Sequence, residues 1–155
     1  MLRMIALGSV AIITGTVATA QQFHVVTQAG MVWGPAPDTL PKGAQFALIS
    51  GDPVKPGPFA FRLKMPPGYV VLPHTHPAAE NITVISGRLY HGMGRTFRKP
   101  GGKAVAQGDF IYLPPEMPHS VWTTNSSAII QVNGTGPFTI RYVRPQDDPR
   151  RAKPR

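Results

Sequence analysis

The chain of 155 residues carries 16 Lys and Arg against seven Asp and Glu, and it contains 18 prolines and no cysteine. The absence of cysteine excludes disulfides, thiolate metal ligands and cysteine nucleophiles. The formal net charge of +9 favours anionic partners, but nucleic acid is not expected, because the chain has no recognisable nucleic-acid-binding module.

Residues 1–20 have the three-part form of a secretory signal peptide. Arg3 lies in a short basic leader, residues 4–17 form an apolar run, and Ala18-Thr19-Ala20 closes the segment. The run is shorter than the roughly 20 residues of a membrane span and is rich in Gly, Ser and Thr. We therefore expect cleavage after Ala20, export across the inner membrane to the periplasm, and no stable membrane span after processing. Retention of the segment as a membrane anchor is the alternative.

Residues 21–43 are predicted to form an N-terminal arm that Gly and Pro residues interrupt. Short edge strands could form at Phe23, at Val25 and at the Val32-Trp33 pair. The predicted barrel domain follows over residues 44–144, and a basic C-terminal tail occupies residues 145–155.

The barrel region begins with two apolar strand patterns. Residues 44–49 fit a half-buried strand. Residues 59–65 alternate cleanly, which predicts a strand with an apolar inner face made by Phe59, Phe61, Leu63 and Met65. The two phenylalanines are better explained as core than as a substrate platform. Since no amphipathic helix longer than a turn or two is present and the 18 prolines disfavour helices, the predicted fold class is all-β.

Residues 68–87 concentrate metal-binding chemistry that nothing else in the chain approaches. His74 and His76 are two residues apart, so on a β-strand both imidazoles project to the same face. Pro77 predicts a turn or bulge, from which Glu80 can re-enter on the same side. Two neutral nitrogens and one anionic oxygen suit a divalent transition metal and leave coordination positions open.

The spacing of these residues, from Gly68 through His74, His76 and Glu80 to Gly87, resembles the first motif of the cupin superfamily. A second stretch, from Gly108 through Pro114 to His119, resembles the second cupin motif. It departs from that motif in two places, with Glu116 where Gly is usual and Thr123 where Asn is frequent. The resemblance extends over residues 59–143.

This resemblance implies a small single-domain cupin with a double-stranded β-helical, or jelly-roll, barrel. It also implies His119 as a further ligand, so that one divalent ion would be held by His74, His76, Glu80 and His119. Mixed nitrogen and oxygen donors leave iron, manganese, nickel, copper and zinc open.

Two further strands are predicted at residues 81–86 and 88–91, with Gly87 making the turn between them. If Leu89 points inward, so does His91, which then has either a substrate-contacting or ligand-supporting role or is a partly exposed strand histidine. Residues 92–102 are predicted to be a basic loop and a possible lid. Arg95 or Arg98 in this loop could bind a substrate carboxylate, although most such loop charges are only solvated.

The remaining strands are predicted at residues 108–113, 128–132 and 137–143. Trp122 is expected on the outer face of the strand that follows His119, where a second sheet or a partner subunit must cover it. The resemblance to the cupin superfamily implies paired barrels. Together with the outward position of Trp122 and the N-terminal segment, it predicts a homodimer. The alternative is a monomer whose N-terminal arm folds over its own sheet.

Nucleophilic and paired-carboxylate hydrolysis are poorly supported, because the nucleophile elbow is missing and few acids are available. The resemblance instead implies metal-dependent oxygenation, isomerisation or epimerisation, or simple binding of a metal or small ligand. The leading prediction is an exported metal-binding oxidoreductase of dioxygenase type that acts on a small organic molecule, with anionic substrates among the options. His91 and Tyr112 are the candidate proton-handling residues. A non-catalytic binding or sensing protein is the alternative from another class.

Overall fold

The computed structural model describes residues 23–151, so the predicted leader and residues 152–155 lie outside the described part of the chain. Ten strands and two short 3-10 turns make up the regular structure. The strands are β1 (Gly34–Pro35), β2 (Gln45–Ser50), β3 (Gly57–Met65), β4 (Val70–Thr75), β5 (Glu80–Met93), β6 (Lys103–Ala106), β7 (Phe110–Leu113), β8 (His119–Trp122), β9 (Ala128–Gly136) and β10 (Arg141–Tyr142), and the 3-10 turns are Pro145–Asp147 and Pro149–Arg151. Within the described range, no helix has the length and apolar character that a membrane span requires.

The strands form one antiparallel sheet that curls around a single core. Its order is β1-β2-β3-β9-β5-β8-β4-β10, and β6 and β7 also pair with β5. Strand β5 joins the two walls, because its first half pairs with β7 and β9 and its second half pairs with β6 and β8. The predicted all-β jelly-roll barrel is thereby confirmed.

The alternation of β3 is confirmed and gives the barrel its apolar interior. Phe59, Phe61, Leu63 and Met65 are all buried, while Lys64 between them is exposed. They pack against inward residues of β5 and β9, including Ile82, Val84 and Val132. The barrel therefore presents one apolar face toward the interior, into which a few polar groups are introduced.

Gly87 does not make a turn, which corrects the prediction of two strands at residues 81–86 and 88–91. Strand β5 runs on through this position, with a register shift against β9 between Val84 and Ser86. Gly87 has a φ of +77°, and a Cβ there would collide with the carbonyl oxygen of Ser127. Glycine therefore allows a bend, which carries one continuous strand from the first wall of the barrel to the second.

The expected edge strands at Phe23, Val25 and Val32-Trp33 are not formed, and only Gly34–Pro35 pairs with β2. Strand geometry needs a neighbouring backbone to accept its hydrogen bonds, and in the described part of the arm backbone pairing with β2 is confined to that point, while His24 reaches β2 only through its side chain. Similarly, the strand predicted over residues 137–143 shrinks to β10. Its first part instead runs along the interior cavity.

Trp122 is 1% exposed, and it is covered by its own chain rather than by a second sheet or a partner. Tyr90 stacks on the indole at 5.9 Å between ring centroids, and Phe97 of the 92–102 loop meets it edge-on at 5.3 Å. Gly102 closes over the far edge of the ring. The loop, for which a role as a lid was one option, therefore caps Trp122, and Trp122 no longer argues for a dimer.

Candidate metal centre

A β-bulge turns His74 into the barrel. In the pairing of β4 with β8, Val71 faces Val121 and His74 faces His119, so three steps on β4 match two on β8. Because side chains alternate along a strand, the extra residue at Leu72 and Pro73 moves His74 to the inner face that Val71 already occupies. His76 follows two residues later on the same side, and both imidazoles are buried.

His119 is delivered by the turn at residues 114–118, where Glu116 has a φ of 58°. The backbone N–H of Glu116 donates to the carbonyl of His76 at 2.8 Å. Its carboxylate accepts a hydrogen bond from the Thr75 hydroxyl and pairs with Arg141 at 3.0 Å. Glu116 thus ties the turn before His119 to the end of β4, where the other two histidines lie.

The Nδ1 atoms of all three histidines lie within hydrogen-bond distance of backbone carbonyl oxygens. His74 approaches Leu72 at 2.7 Å, His76 approaches Thr139 at 2.8 Å, and His119 approaches Met117 at 3.0 Å. A carbonyl can only accept, so the proton of each neutral ring belongs on Nδ1 and the lone pair on Nε2. Such backbone anchoring orients metal-binding histidines in proteins.

The three imidazoles converge, because each offers a ligand atom within 4.8 Å of the others. The carboxylate of Glu80 lies beside them, with Oε2 3.5 Å from Nε2 of His76 and 3.2 Å from Nε2 of His119. Among residues 23–151, Nε2 of His76 and Oε2 of Glu80 find no hydrogen-bond partner although both are fully buried. Facing lone pairs in a buried site repel unless a cation, either a proton or a metal ion, lies between them.

The protonation states fit a set of metal ligands. Burial, reinforced by the neighbouring histidines, holds the pKa of His74 well below its ordinary value. Burial also lowers the pKa of His76, against the opposing charge of Glu80. For Glu80 burial alone would raise the pKa, but His119 and His76 outweigh it and lower the pKa. The site therefore offers neutral imidazoles at His74 and His76 and a carboxylate at Glu80, which is the ligand chemistry of a divalent transition metal.

The metal-binding residues lie in the wall of a cavity of about 260 Å³ that is otherwise largely apolar. Phe61, Met65, Val71, Ile82, Val121 and Ile130 form much of its wall. Phe138 lies flat on His76, with ring centroids 4.2 Å apart. The volume is slightly below the range of about 300–1,000 Å³ for small-molecule pockets. The cavity can therefore take a small ligand with an apolar body directly against the metal-binding residues.

The predicted residues are not all brought together. The structure brings His74, His76, Glu80 and His119 into one cluster. His91 lies behind His119 with ring centroids 6.3 Å apart, and its buried Nε2 has no partner among the described residues, but it does not line the cavity. Burial lowers the pKa of His91.

Tyr112 lies elsewhere, because its side chain alternates outward on β7 and is 58% exposed. It is outside the cavity wall, so the structure does not place it where it could exchange protons with a cavity ligand. Arg95 and Arg98 are exposed in the loop that caps Trp122, and they do not line the cavity either.

Three features of the site were not found from the sequence. Phe138 and Thr139 reach His76 from 62 and 63 residues away along the chain. Arg150 lines the cavity although it lies in the tail that was predicted only as basic. Their positions depend on how the segment after β9 packs against the cavity, and no local sequence pattern predicts that.

The comparisons with known proteins agree with this geometry. Residues 61–131 match the model of the cupin domain family. A germin-like protein 9-2 of Oryza sativa subsp. japonica is 29% identical over 127 residues, which cover 80% of this chain. The aligned part spans 58% of the length of that relative.

Two solved structures share the fold at low sequence identity. The polyketide cyclase RemF from Streptomyces resistomycificus superposes with a TM-score of 0.69 at 18% identity, covering 83% of this chain and 90% of its own. A cupin 2 conserved barrel domain protein from Rhodopseudomonas palustris gives a TM-score of 0.60 at 16% identity, covering 76% and 81% of the two chains.

Proposed function

This chain belongs to the cupin superfamily, and on that premise we propose that it is a metal-dependent enzyme of dioxygenase type for a small organic substrate. The observation that carries the proposal is the convergence of three Nδ1-anchored imidazoles on one another, beside the buried Glu80 carboxylate, in the wall of an apolar cavity. His74, His76, His119 and Glu80 would hold one divalent ion. A bound divalent ion supplies Lewis-acid or redox chemistry at its open coordination positions.

The residues of this chain have separate tasks in that proposal. The backbone carbonyls of Leu72, Thr139 and Met117 hold the imidazole planes and keep each Nε2 free of a proton. The apolar wall excludes water from the substrate and from Glu80. Phe138 covers one face of His76, so that a ligand approaches beside this ring and not across it.

The cavity wall favours oxygenation over isomerisation or epimerisation. Those reactions need a general acid or base at the substrate. Among the described residues that line the cavity, the titratable groups besides the four proposed ligands are Tyr69 and Arg150. Burial raises the pKa of Tyr69, and its hydroxyl donates to the carbonyl of Pro41. Tyr69 is thus poorly suited to proton transfer. Of the reactions considered, oxygenation at the metal depends least on a general acid or base in the cavity wall.

The alternative is a non-catalytic protein that binds a small ligand or a metal, and the same scarcity of proton-handling groups favours it. The solved structures with this fold leave the reaction open. One of them is named as a polyketide cyclase, and because its sequence identity is low, the similarity is limited to the fold.

Metal content is the first test. Elemental analysis of gently purified protein should find a divalent ion, and chelator-stripped protein should bind Fe(II), Mn(II), Ni(II), Cu(II) or Zn(II) in calorimetric titrations. His119→Ala and Glu80→Gln should lose more metal affinity than the roughly 10- to 100-fold that removal of a group supporting a ligand costs. His24→Ala removes a histidine from the exposed N-terminal segment and serves as the matched control. Equal metal binding by all variants would reject the site.

Oxygen uptake then separates the two functions. The Fe(II)-loaded protein is offered a panel of small aromatic acids and phenols. Uptake that depends on substrate and disappears in His119→Ala supports the dioxygenase. Tight ligand binding without turnover across the panel supports the binding protein.

We also propose that the protein is exported and acts as a homodimer. The signal-like residues 1–20 support export, and the exposed Phe23, Val25 and Val32 of the N-terminal arm support association. Intact mass of the exported protein should begin at Gln21, and a mass that includes the full leader would instead favour a membrane-anchored form. Light scattering should give the mass of two chains, whereas one chain's mass across micromolar concentrations would reject the dimer.

A further inference from the structure

The cavity has one cationic side chain in its wall, within the described part of the chain. Arg150 comes from the C-terminal turn Pro149–Arg151 and is 46% exposed. It also borders a second pocket, which is formed with residues 35–38, residues 40–44 and Pro149. Because Arg150 is half exposed and borders both pockets, it lies where the cavity meets the surface, at its entrance.

We propose that Arg150 binds the carboxylate of the ligand, so that the site takes small organic acids with an apolar body. The inference rests on the proposed function only in taking this cavity as the ligand site. Arg150 would hold the acid group at the entrance while the apolar body occupies the space against Phe61, Phe138 and the metal-binding residues.

The guanidinium is already oriented for this role. Its Nε donates to Oδ1 of Asp148 at 2.9 Å and its Nη2 donates to Oδ2 at 2.7 Å, so one edge of the planar group is fixed. The backbone N–H of Arg150 also donates to Oδ1 of Asp148. A guanidinium has five N–H donors, and its second edge, made by Nη1 and Nη2, can bind a further carboxylate with two parallel hydrogen bonds. Within residues 23–151 no partner occupies that second edge.

Arg150 is the cationic position in the described cavity wall, and the carboxylates of Asp148 and Asp38 near it offset part of its charge. Glu80 is a buried carboxylate among the imidazoles and repels an acid group unless a metal ion is bound there. The remaining wall is mostly apolar and cannot compensate for the desolvation of a carboxylate. Arg95 and Arg98 do not line the cavity. An acid group therefore has two possible positions, at Arg150 or on a bound metal ion, and the experiment must distinguish them.

The test compares 2-naphthoate with 2-naphthamide, which share an apolar body and differ in charge. Their dissociation constants are measured by fluorescence titration on wild type, Arg150→Gln and Arg144→Gln. Each of these three proteins is titrated once in the zinc-loaded form and once in the metal-free form. Arg144→Gln is the matched control, because Arg144, directly before this tail, makes the same two-pronged pair with Asp147 but does not line the cavity.

We expect wild type to prefer the acid and Arg150→Gln to weaken its binding about tenfold, as for the loss of one partly exposed charge-assisted pair. The amide should be unaffected, and Arg144→Gln should match wild type for both probes. Equal affinities of wild type for acid and amide, including no binding of either, would overturn the inference. An acid preference that requires zinc and survives Arg150→Gln would also overturn it, since the carboxylate would then lie on the metal.

The metal content of the same samples keeps this result separate from the proposed function. Intact zinc binding without any effect of Arg150→Gln rejects the role of Arg150 alone. Wild-type protein that takes up no metal rejects the metal-dependent function and leaves the charge preference to be judged on the metal-free titrations.

Discussion

The phenyl ring of Phe138 lies flat against the imidazole of His76, with ring centroids 4.2 Å and planes 12° apart. The same ring also packs against Phe59 at 5.1 Å, so it links a metal-binding residue to the barrel core. Since the carbonyl of the next residue, Thr139, accepts the Nδ1 proton of His76, two neighbouring residues fix the orientation of this imidazole.

Phe138→Leu should therefore weaken metal binding while the barrel stays folded. The substitution keeps an apolar side chain but removes the ring stack, which contributes about 1 kcal/mol beyond buried area. We expect about fivefold weaker zinc affinity in calorimetric titrations. Phe110→Leu, at an exposed position on β7, is the control and should not change zinc affinity. If both variants bind zinc equally well, the stack does not orient His76.

The metal-free protein should lose stability as the pH falls below the ordinary histidine range. Burial lowers the pKa values of His74 and His76 in the folded state, whereas both take up protons near pH 6.5 once the chain unfolds. The unfolded state thus binds more protons below that pH, and the free energy of unfolding must decrease there. Each histidine can contribute up to about 1.4 kcal/mol per pH unit.

Glu80 acts in the same direction at lower pH. Its folded pKa is depressed, so its contribution is complete above its unfolded pKa and disappears as the pH falls through the folded value. Urea unfolding in the presence of a chelator should give a stable plateau above pH 7 and a decline from pH 6.5 downward. His74→Gln should flatten the decline and His24→Gln should not, and a decline that is unaltered in His74→Gln would contradict the assignment.

Sequence and structure agree best where spacing alone determines position. His76 lies two residues after His74, directly beyond the end of β4, and shares its face, and Glu80 and His119 follow at motif distances. The orientation of His74 itself, however, depends on a bulge, which is visible only when β4 is paired with β8. Pro73 is compatible with such a bulge, since proline cannot donate to the ladder.

Features that depend on distant segments could not be predicted. The cover of Trp122 comes from Phe97 and Gly102, in a loop whose glycines and basic residues suggested a solvated lid. Arg150 lines the cavity although it lies in the last 3-10 turn, after β10. Charge and hydropathy describe the residues of such segments but not which surface they cover, because that choice depends on the total packing of the folded chain.

The backbone conformation of Glu116 explains why glycine is usual at this position. Its φ of 58° is left-handed, which costs a non-glycine residue about 1–2 kcal/mol. Its pair with Arg141 is more than half exposed on both sides and returns less than about 1 kcal/mol. Glu116→Gly should change the free energy of unfolding by less than about 1 kcal/mol, because relief of strain offsets the lost pair and the greater freedom of the unfolded chain.

A β-branched residue at position 116 would not relieve the backbone strain, so nothing would offset the loss of the ion pair. Glu116→Val keeps the strained backbone, adds crowding and loses the pair with Arg141, so it should destabilise the protein by about 2 kcal/mol or more. Urea unfolding of both variants measures the difference. Should valine be tolerated as well as glycine, the turn before His119 does not require the left-handed conformation.

The last prediction concerns the cap over Trp122. A Cβ on Gly102 would collide with the indole ring, and the ring cannot retreat because Tyr90 stacks on it and its surface is 1% exposed. Gly102→Ala should therefore lower the free energy of unfolding by about 1–3 kcal/mol, as overpacking of a filled core does. Gly34→Ala is the control, since a Cβ there meets nothing within 4 Å, and its effect should be within about 0.5 kcal/mol.

The same cap determines how the fluorescence quenching of Trp122 depends on protein concentration. In a Trp33→Phe background Trp122 is the single tryptophan, so its fluorescence reports this position alone. Because its own chain covers the ring, acrylamide quenching should be weak and independent of protein concentration, whether or not the protein dimerises. In the Gly102→Ala variant quenching should rise, since the displaced loop admits solvent. If quenching instead increases when the protein with Gly102 intact is diluted, a partner subunit buries Trp122, and this residue belongs to a dimer interface.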